Sequence, residues 1–206
     1  MESTETTADR TRQERVLAVA LEVFGRYGFR KTSMDEVARA ADISRQGLYL
    51  YFASKEALFR AAVRQELDTA LGDASRGLNE EGAALERRVV AALDAWLGRY
   101  VGSMLASDIA GLLENPAVEI GDMVDAASAE FDTRVASAIA AATAEKDRRR
   151  LGVTPEEITA ALHLVGQGAK YLSSARGESR AEFVARVTAA VRVVFADFGP
   201  MTRKAP

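Results

Sequence analysis

An all-α fold is what this sequence predicts, and three observations predict it. Apolar residues recur at three- and four-residue intervals along most of the chain. Alanine is abundant while proline occurs only four times in 206 residues, and Ala is the best helix former where Pro interrupts helices. Several apolar runs are preceded by Ser or Thr with Glu three residues on, a reciprocal cap that starts a helix. About nine helices and no strand are expected. They divide into a polar, flexible leader (1–9), a three-helix unit (10–56) and a larger helical body (57–206).

Val16, Leu17, Ala20, Val23, Phe24 and Tyr27 share one face of a first helix, and Gly28 is placed to end it in the left-handed conformation. Ser33 and Glu36 form a capping box, so a second helix starts at Met34 and carries Val37, Ala38 and Ala41. Asp42-Ile43-Ser44 breaks it. Ser44 then caps a third helix whose buried side is Leu48 and Phe52. Ser54 caps a fourth, running through Leu58, Phe59, Ala62 and Val63 to about Leu71. Residues 72–82 are richer in Gly, Ser and Asn and read as a loop.

A helix over 83–104 follows, with Leu85, Val89, Ala92, Trp96 and Tyr100 on related faces. Asn115-Pro116 marks a boundary. Residues 122–150 read as one helix ending in Arg148-Arg149-Arg150, charges that suit a helix C-terminus. Thr154-Pro155-Glu156-Glu157 combines an N-cap, Pro at the first helical position and Glu at the third. The last helix opens at Ser179 with Glu182, carries Phe183, Val187, Val191, Val194 and Phe198, and stops at Gly199-Pro200.

Composition narrows the function. With no cysteine, disulfides, thiol catalysis and Cys-ligated metal are excluded. No metal or other cofactor is expected. The first twelve residues are polar and no apolar run approaches the length of a membrane span, so neither a secretory leader nor a membrane partner is expected and the cytoplasm is the default. The net charge is −3. Residues 1–60 hold 10 Lys and Arg against 9 Asp and Glu, leaving 17 against 21 for 61–206. A locally basic face can still bind nucleic acid, because charges beyond about 8–10 Å are screened at physiological salt.

The informative window is 16–59. Two short helices joined by a tight turn and braced by a longer one make a helix-turn-helix. The N-terminal end of the second short helix bears Ser44, Arg45, Gln46 and Gly47. Arg offers two donors to guanine and Gln pairs with adenine, while Gly lets the backbone approach. Thr32, Ser33, Tyr49, Tyr51 and Lys55 are candidates for phosphate contacts, Lys55 because it adds a positive charge to a helix N-terminus.

Here the sequence resembles the TetR/AcrR family of bacterial regulators. The resemblance rests on Phe24-Gly25-Arg26-Tyr27-Gly28-Phe29, Lys31-Thr32-Ser33-Met34 and the run from Val37 to Ser44. It continues through Leu48-Tyr49-Leu50-Tyr51-Phe52 and Lys55-Glu56-Ala57-Leu58-Phe59. Many members carry His where this chain has Tyr51, and an aromatic where it has Leu50. The resemblance implies base contacts from Ser44, Arg45, Gln46 and Gly47, and phosphate contacts from Thr32, Tyr49, Tyr51 and Lys55. It also implies a ligand cavity in the body and a dimer interface from the last two helices. Such a regulator is typically a repressor: a homodimer on a palindromic double-stranded operator, released by a small effector.

Within the body, Trp96, Tyr100, Met104, Met123 and Phe131 are candidates to line that cavity or to be ordinary core. Gly166 and Gly168 lie inside a predicted helix, where each costs about 1 kcal/mol against Ala. Either close approach at a dimer interface or local irregularity accounts for them. With Tyr171, Phe183, Val187, Val191 and Val194, Gly166 marks the expected interface. His163, the only histidine, lacks the Glu-x-x-His spacing of bundle metal sites and reads as a packing residue. Without Cys, the effector is expected to be organic and largely apolar. No nucleophile elbow or phosphate-binding glycine loop supports an enzyme. A helical-bundle enzyme would need convergent titratable groups in a pocket. An architectural DNA-binding protein would instead show a tightly filled body.

Overall fold

The computed structural model describes residues 2–101 and 120–198, with side chains from Arg10 onward. Nine α-helices and no strand lie among them: α1 (Glu2–Tyr27), α2 (Met34–Ala40), α3 (Arg45–Tyr51), α4 (Lys55–Leu78), α5 (Leu85–Trp96), α6 (Gly121–Ala142), α7 (Glu145–Leu151), α8 (Pro155–Arg176) and α9 (Arg180–Phe195). A 3₁₀ turn, Gly98–Tyr100, follows α5. The chain forms two compact units, Met1–Asp68 with Met104–Val124, and Thr69–Ser103 with Asp125–Pro206. The first therefore extends past the expected boundary at 56, into α4. α1 likewise takes in residues 2–9, the stretch expected to be a leader.

In the first unit, Val16, Leu17, Ala20 and Phe24 of α1 are buried against Val37 and Ala38 of α2, Leu48 of α3 and Leu58, Phe59 and Ala62 of α4. At its centre the rings of Phe24, Phe29 and Phe59 pack with centroids 5.1, 5.2 and 5.6 Å apart, Phe24 edge-on to Phe59. Such geometry adds to the area that each ring removes from water. Gly28, at φ +80°, ends α1 as its position predicts. The Ser33–Glu36 capping box is formed, and the Ser33 bonds hold the Glu36 carboxyl below its usual range.

In the second unit α9 packs on α5 and α8. Phe183, Val187 and Val191 of α9 are buried with Leu93 of α5 and Leu162 of α8. Two glycines permit this approach. A Cβ on Gly98 would meet the Phe183 ring at 2.8 Å, and one on Gly166 would meet Leu97 Cδ1 at 2.6 Å. Arg180 adds a paired contact to Asp94, at 2.8 and 2.9 Å. The capping boxes of Thr154 with Glu157 and Ser179 with Glu182 are both formed.

Three boundaries differ from the sequence reading. The expected loop 72–82 is helical through Leu78. Ala70, Leu71, Ala74 and Leu78 continue a buried stripe, and Gly77 lies so close to Ala91 that a Cβ there would sit 2.9 Å away. Burial of that stripe outweighs the glycines' low propensity. The helix expected over 83–104 ends as α-helix at Trp96, followed by the 3₁₀ turn where Gly98 meets Phe183. The helix expected over 122–150 breaks at Thr143-Ala144. There the buried Thr143 hydroxyl donates back to Ile139 O at 2.7 Å beside the helical bond from its own N–H at 3.0 Å, and Arg148 donates to the Thr143 carbonyl, which an unbroken helix would use itself.

Removing the centre of the first core tests this account. Phe59→Ala is expected to destabilise the protein by about 3–5 kcal/mol, read by urea unfolding. Ser33→Ala is expected to lower stability by about 1 kcal/mol through loss of the cap. In a pH titration the same variant should bring the Glu36 carboxyl back up toward its ordinary value.

Candidate nucleic-acid interface

The candidate interface starts from the turn between α2 and α3. Ile43 N donates to Ala38 O at 3.0 Å and Asp42 takes φ +54°, a conformation that Asp tolerates better than most residues. The turn sends the chain into α3. Ser44, its N-cap, accepts from Gly47 N at 2.9 Å. A Cβ on Gly47 would stand 3.1 Å from that hydroxyl, so the glycine also makes room for the cap.

Leu48 and Phe52 are buried and anchor α3, while Ser44, Arg45, Gln46, Tyr49 and Leu50 are exposed. Arg45 reaches Asp35 of α2 at 3.1 Å and lies over the Tyr49 ring at 5.6 Å. Both members of the ion pair are open to solvent, at 62% and 48% exposure. An exposed pair is worth about 0–1 kcal/mol, so exchanging Asp35 for another acceptor is cheap. Leu50 is 82% exposed, an aliphatic surface beside the polar readers. Its composition gave no signal for this, because Leu in an apolar-rich helix reads as core.

Three expected phosphate contacts are placed differently. Thr32 is buried, and its hydroxyl donates to Gly28 O at 2.9 Å. Tyr51 is half-buried against the core beside Phe52. Lys55 turns inward: its Nζ donates to Phe29 O at 2.9 Å and Thr32 O at 3.0 Å and lies 4.4 Å from the Phe29 ring centre. The carbonyls between α1 and α2 have no helical partner, and the nearest cation takes them. Ser33 and Tyr49 remain exposed. Outside this unit, no group of three or more acidic and His side chains among the described residues could hold a metal.

The body residues sort less well. Trp96 and Phe131 are buried and stacked on each other, centroids 5.2 Å apart at 13°. His163 stands edge-on to Phe131 and bonds Asp132 at 2.6 Å, a packing histidine. Tyr100 lies under Lys170, with Nζ at 5.4 Å, and burial pushes that ammonium's pKa down. Met123 packs in the first unit, and Met104 lies outside the described residues. None of the described ones lines the cavity found in the second unit, about 350 Å³ in volume. That cavity opens between the ends of α4 and α6 and the start of α5, against Ser75, Leu78, Arg88, Arg134, Ser137 and Ala142.

The expected dimer residues are out of phase. Gly166, Phe183, Val187 and Val191 are buried within their own unit, because their missing or bulky side chains make the α5–α8–α9 core. Val194 is half-buried. Tyr171, 73% exposed, stands on an outward apolar face with Leu164, Val165 and Leu172 of α8 and Val193 of α9. A Cβ on Gly168 would meet nothing within 4 Å. No helix among the described residues is long and apolar enough to cross a membrane.

Residues 16–62 match the bacterial regulatory proteins of the tetR family. The HTH-type transcriptional regulator RutR of Escherichia coli (strain K12) is 40% identical over 68 residues, 31% of this chain and 32% of RutR. The matched segment thus spans about a third of that relative's length. The solved structure of reduced E. coli NemR superposes with a TM-score of 0.71 at 16% identity, over 94% of this chain and 100% of NemR. A TetR-like transcriptional regulator from Rhodococcus sp. RHA1 gives 0.61 at 22%, over 90% and 96%. At such identities the likeness is one of fold.

The inward turn of Lys55 makes a direct prediction. Lys55→Met keeps the packing on Phe29 but removes both donors, and should lower stability without DNA by about 1.5–3 kcal/mol, read by chemical unfolding. Unchanged stability would return Lys55 to the role of a simple phosphate contact.

Proposed function

We propose, from the match of residues 16–62 to the tetR family of bacterial regulatory proteins, that the whole chain is a sequence-specific DNA-binding transcriptional regulator, a repressor released from its operator by a small organic ligand. The observation that carries this is α3. Its N-terminal end exposes Ser44, Arg45 and Gln46, side chains with the donors and acceptors needed at base edges, while buried Leu48 and Phe52 hold it in register.

In this reading Arg45 leaves Asp35 to pair with guanine, Gln46 reads an adjacent base, and Gly47 lets the helix come close. Ser33 and Tyr49 hold phosphates from the exposed side. Lys55 and Thr32 act through the turn that they stabilise, and Tyr51 braces α3 from its half-buried position. One such helix reads only a few base pairs, so the active form is a homodimer on a palindrome with half-sites about 34 Å apart. The outward face of Leu164, Tyr171 and Leu172 on α8 with Val193 on α9 is the surface for the second copy. A contiguous apolar face of this kind is costly to leave in water. The cavity in the second unit favours an effector-responsive protein over an architectural one. The effector would act by preferring the body conformation that misplaces the two reading helices. Such a regulator works in the cytoplasm.

Fluorescence anisotropy at about 150 mM salt, against the intergenic DNA beside this protein's own gene and a scrambled control, tests the assignment. Arg45→Ala should cost about 1–3 kcal/mol at the guanine position and relax sequence preference. Equal, weak binding to both DNAs, followed by no enrichment in selection from random sequence, would overturn it. Tyr171→Glu should shift the sedimenting species to monomer and weaken operator binding with the fold intact. An unchanged mass would remove α8 and α9 from the interface.

A further inference from the structure

The cavity of the second unit carries two guanidinium groups and no carboxylate among its described lining residues. Arg88 donates Nε to the Leu78 carbonyl, and its two terminal nitrogens take no hydrogen-bond partner among the described residues. Arg134 donates Nη1 to Leu71 O at 3.1 Å and to Ser75 Oγ, and Nη2 to Glu130. Glu130 is not among the cavity's lining residues. Because Ser75 Oγ accepts from Arg134, its own hydrogen is left to donate. Leu78, Ala138 and Ala142 add apolar lining, beside Asn79 and Ser137.

We propose that this cavity binds a small organic anion, a monocarboxylate with a compact apolar body, its carboxylate on Arg88 and the Ser75 hydroxyl and its hydrocarbon against Leu78 and Ala138. The proposal rests on the effector-responsive reading above and names the chemical class of that effector. Arg presents its terminal N–H groups as a planar fork that matches a carboxylate's two oxygens. An uncharged ligand of the same shape would leave that fork unmatched, and a cation would be repelled by the Arg88 guanidinium, whereas Arg134 is already paired with Glu130. A volume of about 350 Å³ lies at the small end of ligand sites, which run to about 300–1,000 Å³. It therefore selects a short-chain or single-ring acid over a long-chain one. The largely apolar effector expected from composition becomes, in this proposal, one that also carries a negative charge, because Arg88 and Arg134 meet only where α5 and α6 reach the end of α4.

Isothermal titration of the full chain with hexanoate and benzoate, each beside its own amide, tests the site. At least one carboxylate should bind tenfold or more tightly than its amide. Arg88→Gln should remove that preference. Ala138→Leu, which fills the cavity without touching either charge, should abolish binding while leaving the circular dichroism spectrum unchanged. No preference in either pair, or a preference that survives both variants, overturns the proposal. Operator binding measured on the same preparations separates the two readings. Specific DNA binding without carboxylate binding overturns the cavity assignment alone. Carboxylate binding that is lost in both variants, by a chain indifferent to DNA, supports the cavity and removes the regulator.

Discussion

The Lys55 ammonium group ties the start of α4 to the chain between α1 and α2, and the placement of α3 proposed to face DNA depends on that tie. Its donors reach Phe29 O and Thr32 O while it lies over the Phe29 ring. The same ring packs on Phe24 and Phe59. One side chain therefore satisfies two carbonyls without helical partners and holds the aromatic cluster that fixes α1 against α4. α2 starts three residues beyond Thr32's neighbour Lys31, at Met34, and α3 follows through a turn of fixed conformation. A displaced turn would move the reading helix with it, and an error of about 1 Å is enough to spoil a hydrogen-bonded contact.

Above that rigid base, the exposed end of α3 is held by weak interactions. Arg45 is engaged by Asp35 and Tyr49, contacts in solvent that are easily exchanged. The contrast is useful to a reader of DNA. Buried anchors set the position of the helix, and loosely held polar ends can adapt to base edges. Leu50 adds an apolar surface suited to thymine methyls.

The second unit adds close approach of its helices to polar ties such as Arg180 with Asp94. Gly77, Gly98 and Gly166 each stand where a Cβ would crowd a neighbour, which lets α4, α5, α8 and α9 share one core. That packing explains the dimer residues that were out of phase. Gly166, Phe183, Val187 and Val191 carry a strong apolar signal, but a helix with apolar residues on two sides does not reveal which side meets its own chain. Tyr171 is exposed because it falls on the other side. The cavity was illegible for a related reason. Trp96 and Phe131 have the composition of a pocket wall yet stack on each other, whereas Arg88 and Arg134 look like solvated surface charges in the sequence.

By itself the sequence determined the helical class, the caps at Ser33, Ser44, Thr154 and Ser179, the left-handed Gly28 and the exposed polar end of α3. These depend on residues within four or five positions of one another, where backbone hydrogen bonding and side-chain spacing act locally. Tertiary structure alone decided that Lys55 and Thr32 turn inward, that α4 runs to Leu78 and that the chain breaks at Thr143. It also decided which faces of α8 and α9 are buried and that two arginines share a cavity. Most of these depend on groups far apart in the chain, such as Lys55 and Phe29 or Arg134 and Ser75, while Thr32 and Thr143 bond carbonyls four residues back that periodicity alone does not single out. Burial and unsatisfied carbonyls become defined only when such groups are brought together.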